Sequence, residues 1–144
     1  MEIQLIHAPP AHSSIGVNTT ILSLLLEEGE HNPMLDAIIN GTSINFYTMI
    51  PGANITTYFM YYGSMTSPPC TEAVNWVIDG DIFTADAQQL EYFKKKWEMN
   101  STFASGKGNN RVTQDLKKRE VLYFHYEEFS SALILSLVLS FIFA

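Results

Sequence analysis

The sequence predicts a β-rich, mixed α+β fold, and three observations predict it. Short apolar runs of strand length recur along the chain, each bounded by turn-forming residues. Helical periodicity is confined to two short stretches. The chain has 144 residues, 47% of them hydrophobic, which suits one core and is too little for two ordinary domains.

The elements follow in order. Glu2 and Gln4 alternate with Ile3 and Leu5, so the chain opens on a strand with one polar and one apolar side. Ile21 to Leu26 is a nearly continuous apolar run between Asn18-Thr19-Thr20 and Glu27-Glu28-Gly29-Glu30, as expected of a strand buried on both faces. Asn32-Pro33 starts a helix, with Asn as cap and Pro at the first position; Leu35, Ile38 and Ile39 form its apolar face, and Gly41 ends it. Ile44 to Met49 and Ile55 to Tyr62 are rich in β-branched and aromatic residues and read as strands, with Pro51-Gly52 turning between them. Ala73 to Ile78 is a further core strand, closed by a turn at Asp79-Gly80-Asp81. Thr84 then caps a helix from about Ala85 to Trp97, with Leu90, Phe93 and Trp97 on one stripe and Glu91 four residues before Lys95. Asn100 to Asn110 is a polar loop, and Val121 to Phe124 a last strand.

Eight basic against 15 acidic residues give a net charge of −7, so there is little material for the basic face that nucleic acid requires. The single cysteine, Cys70, excludes a disulfide scaffold or a cysteine-rich metal knot built from this chain alone.

The first residues carry no signal-peptide pattern. The uncharged run Ala132 to Ala144 is shorter than the roughly 20 residues of a bilayer-spanning helix, but it suits the removable tail of a lipid-anchor signal, about 10–20 residues. The small residues Ser130, Ser131 and Ala132 stand near a cleavage point, while the polar spacer of such signals is missing. A buried terminal strand or helix is the plainer alternative. Four N-x-Ser/Thr sequons, at Asn18, Asn40, Asn54 and Asn100, lean towards glycosylation and the cell exterior. The expected organisation is therefore a domain over residues 1–126 and an apolar tail over 127–144. The expected location is secreted, or the extracellular face of the plasma membrane with the tail as the membrane attachment.

Tyr61 to Trp76 is the most informative segment. It reads as a strand, a loop stiffened by Pro68-Pro69, and a second strand, so that Thr66 and Ser67 stand fixed at a strand end where a small polar ligand would meet them. A tight structural turn is the plainer reading. The segment resembles the Y-x-G-S-L-T-T-P-P-C-x-E-x-V-x-W stretch of the alpha class of carbonic anhydrases. The resemblance continues through Gln89, Phe93, Asn109, Arg111, Gln114, Leu116 and Arg119, and upstream Glu2 to His7 is similar to the family's E-x-H-x-V-H strand.

That resemblance implies the alpha carbonic anhydrase fold, with a large twisted central sheet of which this chain would be the C-terminal part. It also implies the family's chemistry, the zinc-dependent interconversion of carbon dioxide and bicarbonate. In the family the metal sits on an H-x-H pair and a single histidine on the next strand, and it lowers the pKa of bound water to about 7. Thr66 matches the threonine that orients the bound hydroxide, and Ser67 stands where a second such residue lies near bound anions. Ile6, Ile21, Met65, Val74 and Trp76 match the apolar wall of the substrate pocket. Glu2 matches the carboxylate that steadies a histidine ligand two residues on, a spacing that puts both on one strand face. Cys70 matches a cysteine that, in extracellular members, pairs with one near the N-terminus, a partner absent here.

The departures from the family pattern matter equally. Gln4 stands at the third histidine-ligand position, and a neutral amide is a poor zinc ligand. No H-x-H pair precedes it. His7, His12, His31 and His125 are not spaced to replace the set. The resemblance thus implies zinc for the family and none for this chain, with no hydration activity from the chain alone. The second reading is a non-catalytic, carbonic-anhydrase-related module that binds a protein ligand at the cell surface. A third is that the chain does not exist alone.

Overall fold

The computed structural model describes residues 1–8, 19–44, 56–98, 100 and 109–126. Among them, strands β1 (Glu2–His7), β2 (Thr19–Glu28), β3 (Thr57–Ser64), β4 (Glu72–Ala85) and β5 (Leu122–His125) form one sheet in the order β1-β2-β4-β3-β5. Helix α1 (Pro33–Asn40) follows β2, and helix α2 (Ala87–Glu98) follows β4. β2 and β4 pair in parallel at the centre, and the other pairings are antiparallel.

The alternation read at the start of the chain fixes the two faces of β1. Ile3 and Leu5 pack on a buried cluster of Leu26, Met34, Leu35 and Ala85, to which Ile38, Phe83, Leu90 and Phe93 add. This cluster glues α1 and α2 to one sheet face, and burying each such side chain stabilises the fold by about 1.5–3 kcal/mol. Glu2 and Gln4 stand on the other face. There Ile21, Val74 and Trp76 form a second buried cluster, with Tyr61 and Met65 against it. β2 is buried on both sides through Ile21, Ser23, Leu24 and Leu26, as its apolar run predicts, while Leu25 is exposed.

Helix α1 is set by local chemistry. The Asn32 side chain accepts from Met34 N, Pro33 opens the helix, and Gly41 closes it at φ 64°, a left-handed conformation that costs glycine little. Along α2, Lys95 Nζ lies 3.5 Å from Glu91, the pair expected from their spacing.

Two expectations need correction. Asp79-Gly80-Asp81 does not end the strand: β4 runs on to Ala85, and β2 pairs with both of its halves. Between Ser23 and Leu25 of β2, the facing strand advances from Ile78 to Ile82, so the turn chemistry is absorbed as a bulge. Asp79 Oδ1 accepts from Asp81 N at 3.0 Å, which is the local bond that makes such residues look like a turn. Nor does Thr84 cap α2. It is held in the ladder opposite Glu27, and the cap is Asp86, whose Oδ1 accepts from Gln88 N and Gln89 N, both at 2.9 Å. The strand expected over 44–49 falls, beyond Ile44, outside the described residues, as do the turn at Pro51-Gly52, most of the polar loop and the tail over 127–144.

Candidate functional site

The residues singled out in the sequence converge on the sheet face opposite the helices. β1 and the loop after β3 bring Gln4 and Thr66 together, and Thr66 Oγ1 donates to Gln4 Oε1 at 3.4 Å across 62 positions of sequence. Glu2 lies on the same face, two residues from Gln4, but its carboxylate is taken by Ser23, whose Oγ donates to Glu2 Oε1 at 2.7 Å. Ser23 is buried and sits directly across the ladder from Gln4. Glu2, Gln4, Thr66 and Arg111 also line a groove of about 830 Å3 along β1, with Leu35, Ile38, Leu90 and Phe93 supplying apolar lining.

The Met65–Thr71 loop is fixed from several sides. Met65 N donates to Thr71 O at 3.0 Å and Cys70 N to Ser67 O at 2.9 Å, while the Pro68-Pro69 peptide is cis. Arg111 Nη1 donates to Ser64 Oγ at 2.9 Å and Met65 O at 3.2 Å, tying the loop to the segment before β5. Trp76 is buried and donates its indole N–H to Ser64 O at 3.1 Å, satisfying the one polar atom of that ring. Gly63 makes room for this: a Cβ there would lie 3.0 Å from the Tyr61 ring and 3.2 Å from Trp76. Tyr61 stacks on Trp76 with centroids 6.1 Å apart, and burial, aided by the Glu2 charge and opposed by Arg119, raises its hydroxyl pKa.

Of the expected apolar wall, Ile21, Met65, Val74 and Trp76 pack together, whereas Ile6 is 54% exposed at the open side of β1. Ser67 is exposed. Cys70 is a half-buried free thiol with φ 57°. Of the sequons, Asn40 is exposed at the end of α1, Asn100 donates its backbone N–H to Trp97 O at 3.0 Å, and Asn18 and Asn54 lie outside the described residues. Arg111 was legible as a family position, but its anchoring of the loop was not. Ser23 carried no signal beyond being a polar residue inside an apolar run, which on a two-sided buried strand already calls for a partner.

The chain matches the family model of the eukaryotic-type carbonic anhydrases over residues 1–125, and it belongs to that family. It is 28% identical over 122 residues to alpha carbonic anhydrase 4 of Arabidopsis thaliana, covering 78% of this chain and 44% of that protein. Carbonic anhydrase 1 of Monodelphis domestica is 29% identical over 117 residues, covering 70% and 44% respectively. A hyperthermostable carbonic anhydrase from an active hydrothermal vent chimney superposes with a TM-score of 0.67 at 25% identity, over 85% of this chain and 54% of that one. The chain thus spans about half the length of the relatives it matches. The strand-rich mixed sheet with few helices is the family's architecture.

The family implies zinc, and the residues gathered here do not suit it. Around Gln4 the side-chain donors are an amide oxygen, a hydroxyl and a carboxylate already bonded to Ser23. No imidazole is among them, whereas the family's metal rests on three, and an amide oxygen and a hydroxyl are poor zinc ligands. His7 falls on the opposite face of β1 from Gln4 by strand alternation. Among the described residues no three His, Cys, Asp or Glu side chains are arranged to hold a metal ion.

Proposed function

We propose that this chain is part of a carbonic-anhydrase-type domain that retains the threonine loop and apolar wall of the family but supplies no zinc ligand, and that alone it does not hydrate carbon dioxide. The observation that carries this reading is the Gln4–Thr66 pair. The hydroxyl that would orient a metal-bound hydroxide instead donates to an amide, at the strand position where the family has imidazole. Thr66 would be the orienting threonine, with Ser67 beside it and Ile21, Met65, Val74 and Trp76 as the apolar wall. Carbon dioxide and bicarbonate are the ligands of an intact site that includes the rest of the family fold.

The second reading is a non-catalytic module that binds a protein ligand, and Gln4 favours it, because a neutral amide at the ligand position is compatible with packing and is a poor zinc ligand. The four sequons and the apolar run at 132–144 support a place at the outer surface of the plasma membrane, with the tail as its attachment. A stopped-flow assay with a pH indicator tests the absence of activity that both readings share. The chain is expected to leave the uncatalysed rate of carbon dioxide hydration unchanged. Acceleration that a sulfonamide inhibitor abolishes would overturn the proposal.

A further inference from the structure

The two helices meet at their N-terminal ends through an arrangement that the carbon dioxide chemistry does not use. His31, in the turn between β2 and α1, has Nδ1 2.6 Å from Asp86 Oδ2 and Nε2 2.7 Å from Asp36 Oδ2. Asp36 belongs to the first turn of α1, and Asp86 is the cap of α2. Ionised carboxylate oxygens only accept hydrogen bonds, so both ring nitrogens must donate, and only the imidazolium does that.

Beneath them Gln89 is buried and sets the spacing of the carboxylates. Its Nε2 donates to Asp36 Oδ1 at 2.7 Å and to Asn32 O at 2.8 Å, and its Oε1 accepts from Asn32 N at 3.0 Å and Asp86 N at 3.3 Å. Each aspartate is therefore held through Oδ1, with Oδ2 left aimed at the same imidazole. Two fixed carboxylates facing one another repel unless a cation lies between them.

We propose that His31 is a proton-operated clip between α1 and α2, closed by the imidazolium and half-released when it deprotonates. A neutral ring has one bare nitrogen, whose lone pair then faces a carboxylate oxygen, and that arm is repelled. Among the described residues the charges acting on His31 are those of Asp86 and Asp36, and their hydrogen bonds, Asp86 first, raise its pKa above the usual 6.5 against the opposing effect of burial. Asp86 in turn is lowered from its usual 3.8, first by the bond to His31. The sign follows from both. The clip's contribution is full below pH 6.5, is lost as pH rises through the raised imidazole value, and at the acid end is lost as pH falls through the lowered carboxylate value. Because α1 and α2 carry Leu35, Ile38, Leu90 and Phe93, the clip governs how firmly the apolar lining of the groove is held.

Deuterium exchange at the imidazole Cε1, followed by mass spectrometry of the His31 peptide from the full chain, reads the titration directly. The midpoint is expected above 6.5 in the parent and lower in both Asp36→Asn and Asp86→Asn, the latter keeping a capping side chain on α2. Backbone exchange in the first turn of α1 is expected to quicken, beyond the intrinsic pH dependence, as pH passes that midpoint, and to show no such step in His31→Gln. A midpoint at or below 6.5, or one that neither substitution moves, overturns the proposal; one that moves with a single substitution reduces the bridge to a simple pair and overturns it too.

Discussion

Gln89→Met tests the buried polar junction between the helices. Methionine matches glutamine in length and flexibility, so the change removes hydrogen bonds while leaving the packing nearly filled. Four bonds disappear: two that the amide donates, at 2.7 and 2.8 Å, and two that it accepts, at 3.0 and 3.3 Å. A neutral bond contributes about 0.5–1.5 kcal/mol net and one to a charged group about 1.5–3 kcal/mol. The 3.3 Å contact belongs at the low end and the bond to Asp36 at the high end. Partial rehydration of the half-buried partners and the apolar gain of methionine offset part of the loss. The expected destabilisation is about 3 kcal/mol, a large share of the roughly 5–15 kcal/mol that holds an ordinary domain together. Pulse proteolysis across a urea series, run in dilute solution so that open strand edges do not associate, measures it. A loss below about 1 kcal/mol would refute the reasoning, because the four bonds would then be replaced by water at no cost.

Two further changes probe the core and the bulge. Leu35→Ala, at a fully buried position in the cluster between sheet and helices, is expected to cost about 3 kcal/mol in the same assay, and a loss under about 1 kcal/mol would mean that the cluster collapses around the gap. Asp79 is 3% exposed, its Oδ2 has no hydrogen-bond partner among the described residues, and burial first, then the Asp81 charge, raises its pKa against the opposing bond from Asp81 N. Its charge is therefore a penalty above the raised value, relieved as pH falls through it. Asp79→Asn is expected to stabilise the fold by about 1 kcal/mol at pH 8, with the gap from the parent closing towards the carboxylate range, and a variant less stable than the parent at pH 8 would contradict this.

How much of this was legible depends on whether the cause was local. Asn32, Pro33 and Gly41 fix α1 through bonds and φ angles within a few residues, and the alternation over Glu2–His7 fixes the faces of β1 without reference to the rest of the chain. Asp79-Gly80-Asp81 was misread because an Asp side chain bonding two residues on serves a bulge as well as a turn. What decides between them is the pairing of β2 with both halves of β4, more than 50 positions away. Thr84 and Asp86 are both good caps, and the ladder contact with Glu27 makes the choice. At the site, Thr66 and Gln4 were legible through family resemblance. The Ser23–Glu2 bond and the His31–Asp86 contact join residues 21 and 55 apart, and no pattern along the chain relates them.

The central claim is that these residues form a carbonic-anhydrase-type sheet face with no zinc site. Zinc competition against a chromophoric chelator, with the full chain as competitor, tests it most directly. The chain is expected to withdraw no zinc beyond a protein without a metal site, because Gln4 offers only an amide oxygen, which accepts from Thr66, and Glu2 is held by Ser23. Stoichiometric withdrawal of zinc by the chain, lost on Gln4→Ala, would contradict it.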